Sequence, residues 1–249
     1  MDILFDLHTH TTYSHGKGSV FENVAVAEQK GILLGIADHG AGHFFYGVSE
    51  SAFEKERLDV LDVNAKHKKQ IALLGVEANL TGHGQTDRHR YGPVDFVLMG
   101  FHKGVFASSF FTSLFAAKLF SKNRASTMMT DALIAALQDG TVDAITHPGV
   151  YCPIYMRPLA QAARECGVAL EINASHAPNI PDLRTALDCG AYFLVSSDAH
   201  TPQNVGNVRA ALEAAAAADI PSKRIVNSAA YAFDASLRLD KLSKWSQSI

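Results

Sequence analysis

A chain of 249 residues with 47% hydrophobic and 19% charged side chains can bury a full core without disulfides. Its formal net charge of −3, with KHKK at Lys66–Lys69 as the densest basic run, argues against a protein built to hold nucleic acid. No run reaches the roughly 18 to 20 apolar residues of a membrane span, and the start MDILFDLHTH lacks the pattern of a signal peptide. Cys152, Cys166 and Cys189 form no CxxC pair, which fits a reducing compartment, and a cytoplasmic location is expected.

The first expected strand, Ile3–Leu7, runs into His8 and His10. A helix over Val20–Lys30 leads to a strand at Leu33–Ala37, which runs into Asp38 and His39. A helix over Glu50–Lys68 precedes a strand at Ala72–Val76 that ends at Glu77. The strand Asp95–Gly100 runs to His102, and an apolar insert, Val105–Phe120, follows. Ser126 is expected to cap a helix reaching Asp139, and the next strand, Val142–Thr146, ends at His147. A helix over Tyr155–Cys166, a strand at Ala169–Ile172, a helix over Ile180–Cys189 and a strand at Tyr192–Ser196 come next. The last strand runs to Asp198 and His200, ahead of a helix over Gln203–Ala218. Most of these strands are continuous apolar runs, as expected when both faces are buried. Gly31, Gly140, Gly167 and Gly190 fall just past helix ends, where a left-handed cap favours glycine.

Seven strands alternating with helices predict a parallel sheet. No linker, repeat or low-complexity tract divides residues 1–249, so one domain is expected. A closed or nearly closed (β/α) barrel is the first expectation and an open doubly wound sheet the second. Six of the seven strands finish in a residue able to bind a metal. A barrel gathers its C-terminal strand ends on one face, whereas an open sheet would spread them in a row, so the pattern favours closure. In His8-Thr9-His10, alternate residues on a strand point the same way, so both rings can reach one ion. Twelve histidines, the commonest metal ligand type, suit that reading.

The segments DLHTHTTYSHG, IADHG, GVEAN, GFH, THPG, LEINAS and SSDAHT occur in order from Asp6 to Thr201. In these the sequence resembles the PHP (polymerase and histidinol phosphatase) family, within the broader amidohydrolase-like metalloenzymes, and looks nearest to its small stand-alone bacterial phosphatases. The resemblance implies a single distorted (β/α)7 TIM-like barrel and three divalent metal ions, zinc first, with manganese or iron as alternatives. It implies that His8, His10, Glu77 and Asp198 hold the first ion. Glu77 would bridge to a second, completed by His102 and His147. His15, His39 and His200 would hold the third. Every one of these positions carries a suitable residue type. Catalysis is expected to centre on Glu77, Asp198 and His200.

Imidazole with a few carboxylates suits zinc, manganese or iron. Water held between two such ions is acidic enough to give a nucleophile near neutral pH, and the ions neutralise phosphate oxygens. The expected reaction is therefore hydrolysis of a small phosphomonoester by a metal-activated hydroxide at a trinuclear site. Two alternatives stay open. An amidohydrolase-type attack on a C–N bond is disfavoured by the third ligand set and by the lack of a strand lysine. A non-catalytic metal-binding domain is disfavoured because nine ligands over three ions leave positions open.

Lys103 is the best-placed phosphate clamp, because it follows His102. Asn173 and Ser175 end the strand without a metal ligand and are candidate substrate contacts. Asp38 either orients an imidazole or closes its strand. His176 is a further candidate contact, with a loop role the stronger expectation. His43, His83, His89, Arg88, Arg90 and Arg157 are read first as surface residues. Asp139, Asp143 and Glu171 are assigned structural roles. Phenylalanines 106, 110, 111, 115 and 120 in the insert are expected in the core or at an interface rather than in a lid, which leaves a homo-oligomer open.

Overall fold

The computed structural model describes residues 2–105, 109–242 and 245. The strands are β1 (Phe5–Asp6), β2 (Leu33–Ile36), β3 (Ala72–Gly82), β4 (Gln85–Thr86), β5 (Phe96–Gly100), β6 (Ala144–Ile145), β7 (Ala169–Asn173) and β8 (Phe193–Ser196). The helices are α1 (Val20–Gln29), α2 (Glu50–His67), α3 (Ser109–Phe120), α4 (Lys122–Leu137), α5 (Met156–Cys166), α6 (Ile180–Asp188) and α7 (Arg209–Ala217). Seven strands pair in parallel in the order β1-β2-β3-β5-β6-β7-β8, and β4 turns back antiparallel on the end of β3.

The ring is nearly closed. Just past the ends of β1 and β8, Thr9 and Ala199 form a parallel bridge, with His10 N–H donating to Ala199 O at 2.8 Å. Below that bridge the buried Asn227 spans the gap. Its amide donates to Phe5 O and Val195 O, both at 2.7 Å, and accepts from Val195 N–H at 3.1 Å. The buried Asp6 carboxylate takes N–H groups from His8, Ser197 and Gly206 along the same seam. This sheet is the nearly closed (β/α) barrel expected first, not an open one.

The barrel interior is apolar at its base, where Phe5, Leu7, Leu73, Phe96, Leu98 and Leu194 cluster. Leu237, Leu239, Leu242 and Trp245 join this cluster from the C-terminal segment. Phe96 needs room: a Cβ on Gly75 would lie 2.3 Å from its ring. Two further clusters fill the space between the sheet and the surrounding helices. With its interior filled by apolar side chains at the base, the barrel carries its polar cluster at the opposite rim, where the strands end.

Helix ends follow local chemistry. Ser19 and Glu22 form a reciprocal capping box at α1, and Ser49 and Asn179 cap α2 and α6. The four glycines expected past helix ends all have positive φ. At Gly167, φ 68 lets its N–H return to the last turn of α5, where an L side chain would be strained.

Four expectations are corrected. The helix expected from Ser126 begins at Lys122 instead. Ser121 caps it, and Ser126 lies inside, bonding back to Lys122 O at 3.0 Å. The apolar stripe Ala125, Met129, Ala132, Leu133 needs that earlier start. Strand β3 continues past Val76 to Gly82, because Leu80 pairs with Thr86 across a turn that contains Gly84 at φ 68. The last helix is shorter than expected, starting at Arg209, because Gly206 at φ 67 separates it from a 3-10 turn at Pro202–Asn204. The insert forms α3, which packs on α4 with Leu114 and Ala117 buried, while Phe115 and Leu119 are exposed. Phe106 and the side chain of Phe120 lie outside the described residues. Among the described residues no helix is long and apolar enough to cross a membrane, and the three cysteines are free.

Candidate metal centre

Beyond β1 the chain stays extended, so His8 and His10 face into the barrel mouth while Thr9 turns its hydroxyl to Gly35 O at 2.8 Å. Past β2, His39 bridges in parallel to Glu77, which sets their side chains beside each other. Glu77 is buried at the centre. Its Oε1 lies 3.0 Å from His102 Nε2, 3.1 Å from His147 Nε2 and 3.3 Å from His8 Nε2. Its Oε2 lies 2.9 Å from His39 Nδ1 and 3.6 Å from His10 Nε2. Asp198 Oδ1 approaches His10 Nε2 at 3.2 Å and His8 Nε2 at 3.5 Å. His200 Nε2 meets His15 Nε2 at 2.5 Å.

Three groups of side chains bring their ligand atoms within 4.8 Å of one another: His8, His10 and Asp198; His39, Glu77 and His102; and His10, His15 and His39. Three buried atoms here, His8 Nε2, His39 Nδ1 and Glu77 Oε2, make no well-angled hydrogen bond, even though the last two are only 2.9 Å apart. Buried polar atoms nearly always find partners. Unpartnered imidazole nitrogens facing a carboxylate are the donor set of a divalent cation, so the residues fit a metal group.

Electrostatics point the same way. Burial alone would raise the Glu77 carboxyl, but His102, His8 and His39 outweigh it and hold it well below the usual carboxylate range. Asp198 is likewise lowered, because His8 and His10 outweigh its burial. Burial pushes His15 down to about 2, helped by His10, His39 and His200, and burial brings His39 to about 4. Those two rings are neutral at pH 7, the form that binds a metal. Burial also lowers His10, but Asp198 and Asp38 outweigh it and raise this ring to about 9. Binding a cation there displaces a proton. His147 and Asp198 both have positive φ, 30° and 52°, a conformation costing about 1–3 kcal/mol for a side-chain-bearing residue and concentrated at functional sites.

The far nitrogens of the rings are held by neighbours. Glu171 Oε1 accepts from His8 Nδ1 at 2.6 Å, and its Oε2 accepts His147 N–H at 2.7 Å. Asn79 Oδ1 meets His102 Nδ1 at 2.8 Å, and the Asn79 amide donates to Asp87 Oδ2 at 2.7 Å. Asp38 Oδ1 is 3.4 Å from His10 Nδ1 and accepts Thr11 N–H at 2.8 Å, so it both faces the imidazole and ties down the turn after β1. Glu171, first assigned only to structure, therefore supports two candidate ligands. Asn79 and Asp87 were not singled out in the sequence. The available signal was spacing, since Asn79 lies two residues past Glu77 on the same strand and so shares its face.

Asn173 is buried. Its amide donates to Glu171 and Asp198, and its Oδ1 accepts N–H groups from Ser175 and His176. Ser175 Oγ donates to Ser197 O at 2.8 Å. Both side chains are thus engaged with the protein itself. A cavity of about 240 Å³ opens over the candidate ligands and adds His43, Tyr46, Lys103, Tyr151 and His176 to its walls. Among the described residues Lys103 is its only Lys or Arg. The Lys103 ammonium sits 5.4 Å from the Tyr151 ring centre, and the Tyr46 ring stacks on His15 at 4.3 Å. Arg88 bonds to Tyr91 O and Arg157 to Cys189 Sγ, away from the cavity. His83 and His89 also lie off the cavity, and His67 pairs with Glu28.

No family model matches the chain. A probable phosphatase from Shewanella sediminis is 34% identical over 251 aligned residues, covering 91% of this chain and 90% of that protein. The probable phosphatase YcdX of Escherichia fergusonii is 31% identical over 242 residues, 89% of each. The chain belongs to the YcdX-like family of probable phosphatases. It is a hydrolase of the phosphatase type. Among solved structures, histidinol phosphate phosphatase from Lactococcus lactis, crystallised with zinc, L-histidinol and phosphate, superposes with a TM-score of 0.61. That match covers 86% of this chain and 92% of the other at 14% identity, and it shows the PHP-type barrel fold.

Proposed function

We propose that residues 1–249 form one PHP-type phosphomonoesterase of the small stand-alone kind, acting in the cytoplasm on a small phosphorylated substrate with three divalent metal ions. The observation that carries this reading is Glu77, one buried carboxylate in reach of ring nitrogens from all three ligand groups. His8, His10, Glu77 and Asp198 would hold one ion, Glu77 would be shared with a second completed by His102 and His147, and His15, His39 and His200 would hold a third. The observed groups also put His39 beside Glu77 and His102, and His10 beside His15, so these two rings stand between neighbouring sites. Zinc is the first expectation from this histidine-rich set, and the Lactococcus structure with zinc and phosphate supports it.

When bound, the ions supply Lewis acidity that neutralises phosphate oxygens and acidifies water. The chain's own residues do the rest. Glu171, Asn79 and Asp38 fix the rings so that their free nitrogens converge without reorganisation. The ionised Glu77 and Asp198 balance part of the cationic charge. Lys103 stands at the cavity wall as a point-charge donor for a phosphate oxygen.

Metal content per chain, measured on protein purified without chelator, tests the proposal together with phosphate release by the same sample from a panel of phosphorylated small molecules. About three metals per chain with phosphate release is the expected result, in keeping with the ligand count. One metal or none, with no release after reloading with zinc, manganese or iron, would overturn it.

A further inference from the structure

A second and larger cavity, about 620 Å³, lies beside the metal cavity. The two share His102, Lys103 and Tyr151 in their walls, so they lie side by side. Its walls differ sharply in chemistry: Phe101, Phe111, Leu114, Phe115, Leu119 and Cys152 line it. Most of these come from α3, whose sequence SFFTSLFAAKLF carries one charge, Lys118, and is apolar over most of its surface. Such a helix is normally buried on every side. Here Leu114 and Ala117 pack into the core, but Phe115 and Leu119 remain 66% and 67% exposed.

From this juxtaposition we infer that the phosphatase takes monoesters of an extended apolar alcohol, with the phosphate on the metal ligands and the leaving group in the cavity under α3. The inference rests on the phosphatase reading and names its substrate class. The volume is that of a pocket for a drug-sized ligand, about 300–1,000 Å³. A sugar or other polyhydroxylated leaving group would set most of its hydroxyls against phenylalanine and leucine, with Lys118 the one charged side chain on the α3 wall, which is costly. An apolar chain removes its own surface and that of Phe115 and Leu119 from water. Lys103 stands at the junction, on the wall of both cavities, where the ester oxygen joins the two halves of such a molecule. The walls it shares with the cavity over the candidate ligands, through His102, Lys103 and Tyr151, are the reason to assign it to a substrate rather than to a protein partner.

The test uses the full chain loaded with its metal ions and a series of straight-chain alkyl phosphates from ethyl to decyl, with glycerol phosphate and histidinol phosphate as polar comparators. The expected result is a rise in kcat/KM of up to about four-fold per methylene until the cavity is full. Calorimetric titration with the matching non-hydrolysable alkyl phosphonates gives a parallel gain in affinity. In the Phe115→Ser, Leu119→Glu double variant, the gain per methylene falls below about two-fold, since apolar wall area is what produces it. The same chemistry could reach the site as a dissolved ester or as a membrane lipid. Decyl phosphate is therefore presented both below its micelle concentration and in lecithin vesicles, and faster turnover in either form supports the inference and identifies the source. Release from the short or polar esters with a flat or falling length profile overturns the inference while the phosphatase reading stands. If no ester is hydrolysed, the phosphatase reading fails and the phosphonate titration decides the cavity: affinity independent of chain length overturns it.

Discussion

Replacing Glu171 with glutamine removes one charge where donors from four residues converge. The carboxylate accepts from His8 Nδ1 at 2.6 Å, His147 N–H at 2.7 Å, Asn173 Nδ2 at 3.0 Å and the Ser196 hydroxyl. Burial would raise its pKa, but the charge and hydrogen bond of His8 outweigh burial and keep it below the ordinary value, so it is ionised in the folded protein. Glutamine keeps one acceptor oxygen and places an NH2 against groups that themselves donate. A hydrogen bond to a charged group contributes about 1.5–3 kcal/mol. Losing that support for a metal-binding ring costs about 10–100-fold in metal affinity, or about 1.4–2.8 kcal/mol. In the metal-free protein, a loss of about 2 kcal/mol lowers Tm by about 4–8 °C for a chain of this size. Metal affinity is read by competition with a chelator, and Tm by thermal unfolding of stripped protein. A variant within two-fold of wild type in affinity and with an unchanged Tm would refute the assignment of Glu171 to ring orientation.

Glu77→Ala should lose at least two metal ions together, because its two oxygens face rings from every ligand group; metal analysis showing all the wild-type ions retained would contradict a bridging role. Gly75→Ala should destabilise the fold by about 1–3 kcal/mol, the usual cost of overpacking, since the new methyl would meet Phe96 at 2.3 Å. Denaturant unfolding measures that loss, and Phe96→Leu in the same chain should recover part of it; no recovery would place the cost elsewhere. Asn227→Ala should cost about 3 kcal/mol or more by orphaning Phe5 O, Val195 O and Val195 N–H at the seam of the barrel. Hydrogen exchange should quicken first at β1 and β8, and uniform exchange across the sheet would argue against a local seam.

The insert between β5 and α4 shows how far composition reaches. Its run of phenylalanines marks an apolar segment expected in the core or at an interface; Phe110 and Phe111 pack partly buried against the core, whereas Phe115 is exposed. That Phe115 and Leu119 would instead stand over a cavity next to the ligands depended on where α4 and β5 set the helix. Hairpin strand β4 was equally hidden, because its two residues, Gln85 and Thr86, are held by pairing with β3 rather than by any pattern of their own.

What the sequence determined by itself was the ring of candidate ligand residues. Continuous apolar runs identify parallel strands, and the polar residue that ends each run marks its place on one rim. His8, His10, His39, Glu77, His102, His147, Asp198 and His200 could therefore be named from one-dimensional information, because strand period and strand end are local properties. What only the tertiary structure decided was which groups hold those side chains in place. Glu171 lies 163 residues from His8, and Asn79 lies 23 from His102. Asn227 closes a gap between β1 and β8 that no local pattern announces. A hydrogen bond across a barrel depends on the register and closure of every strand between its ends, and that information exists only once the ring has formed.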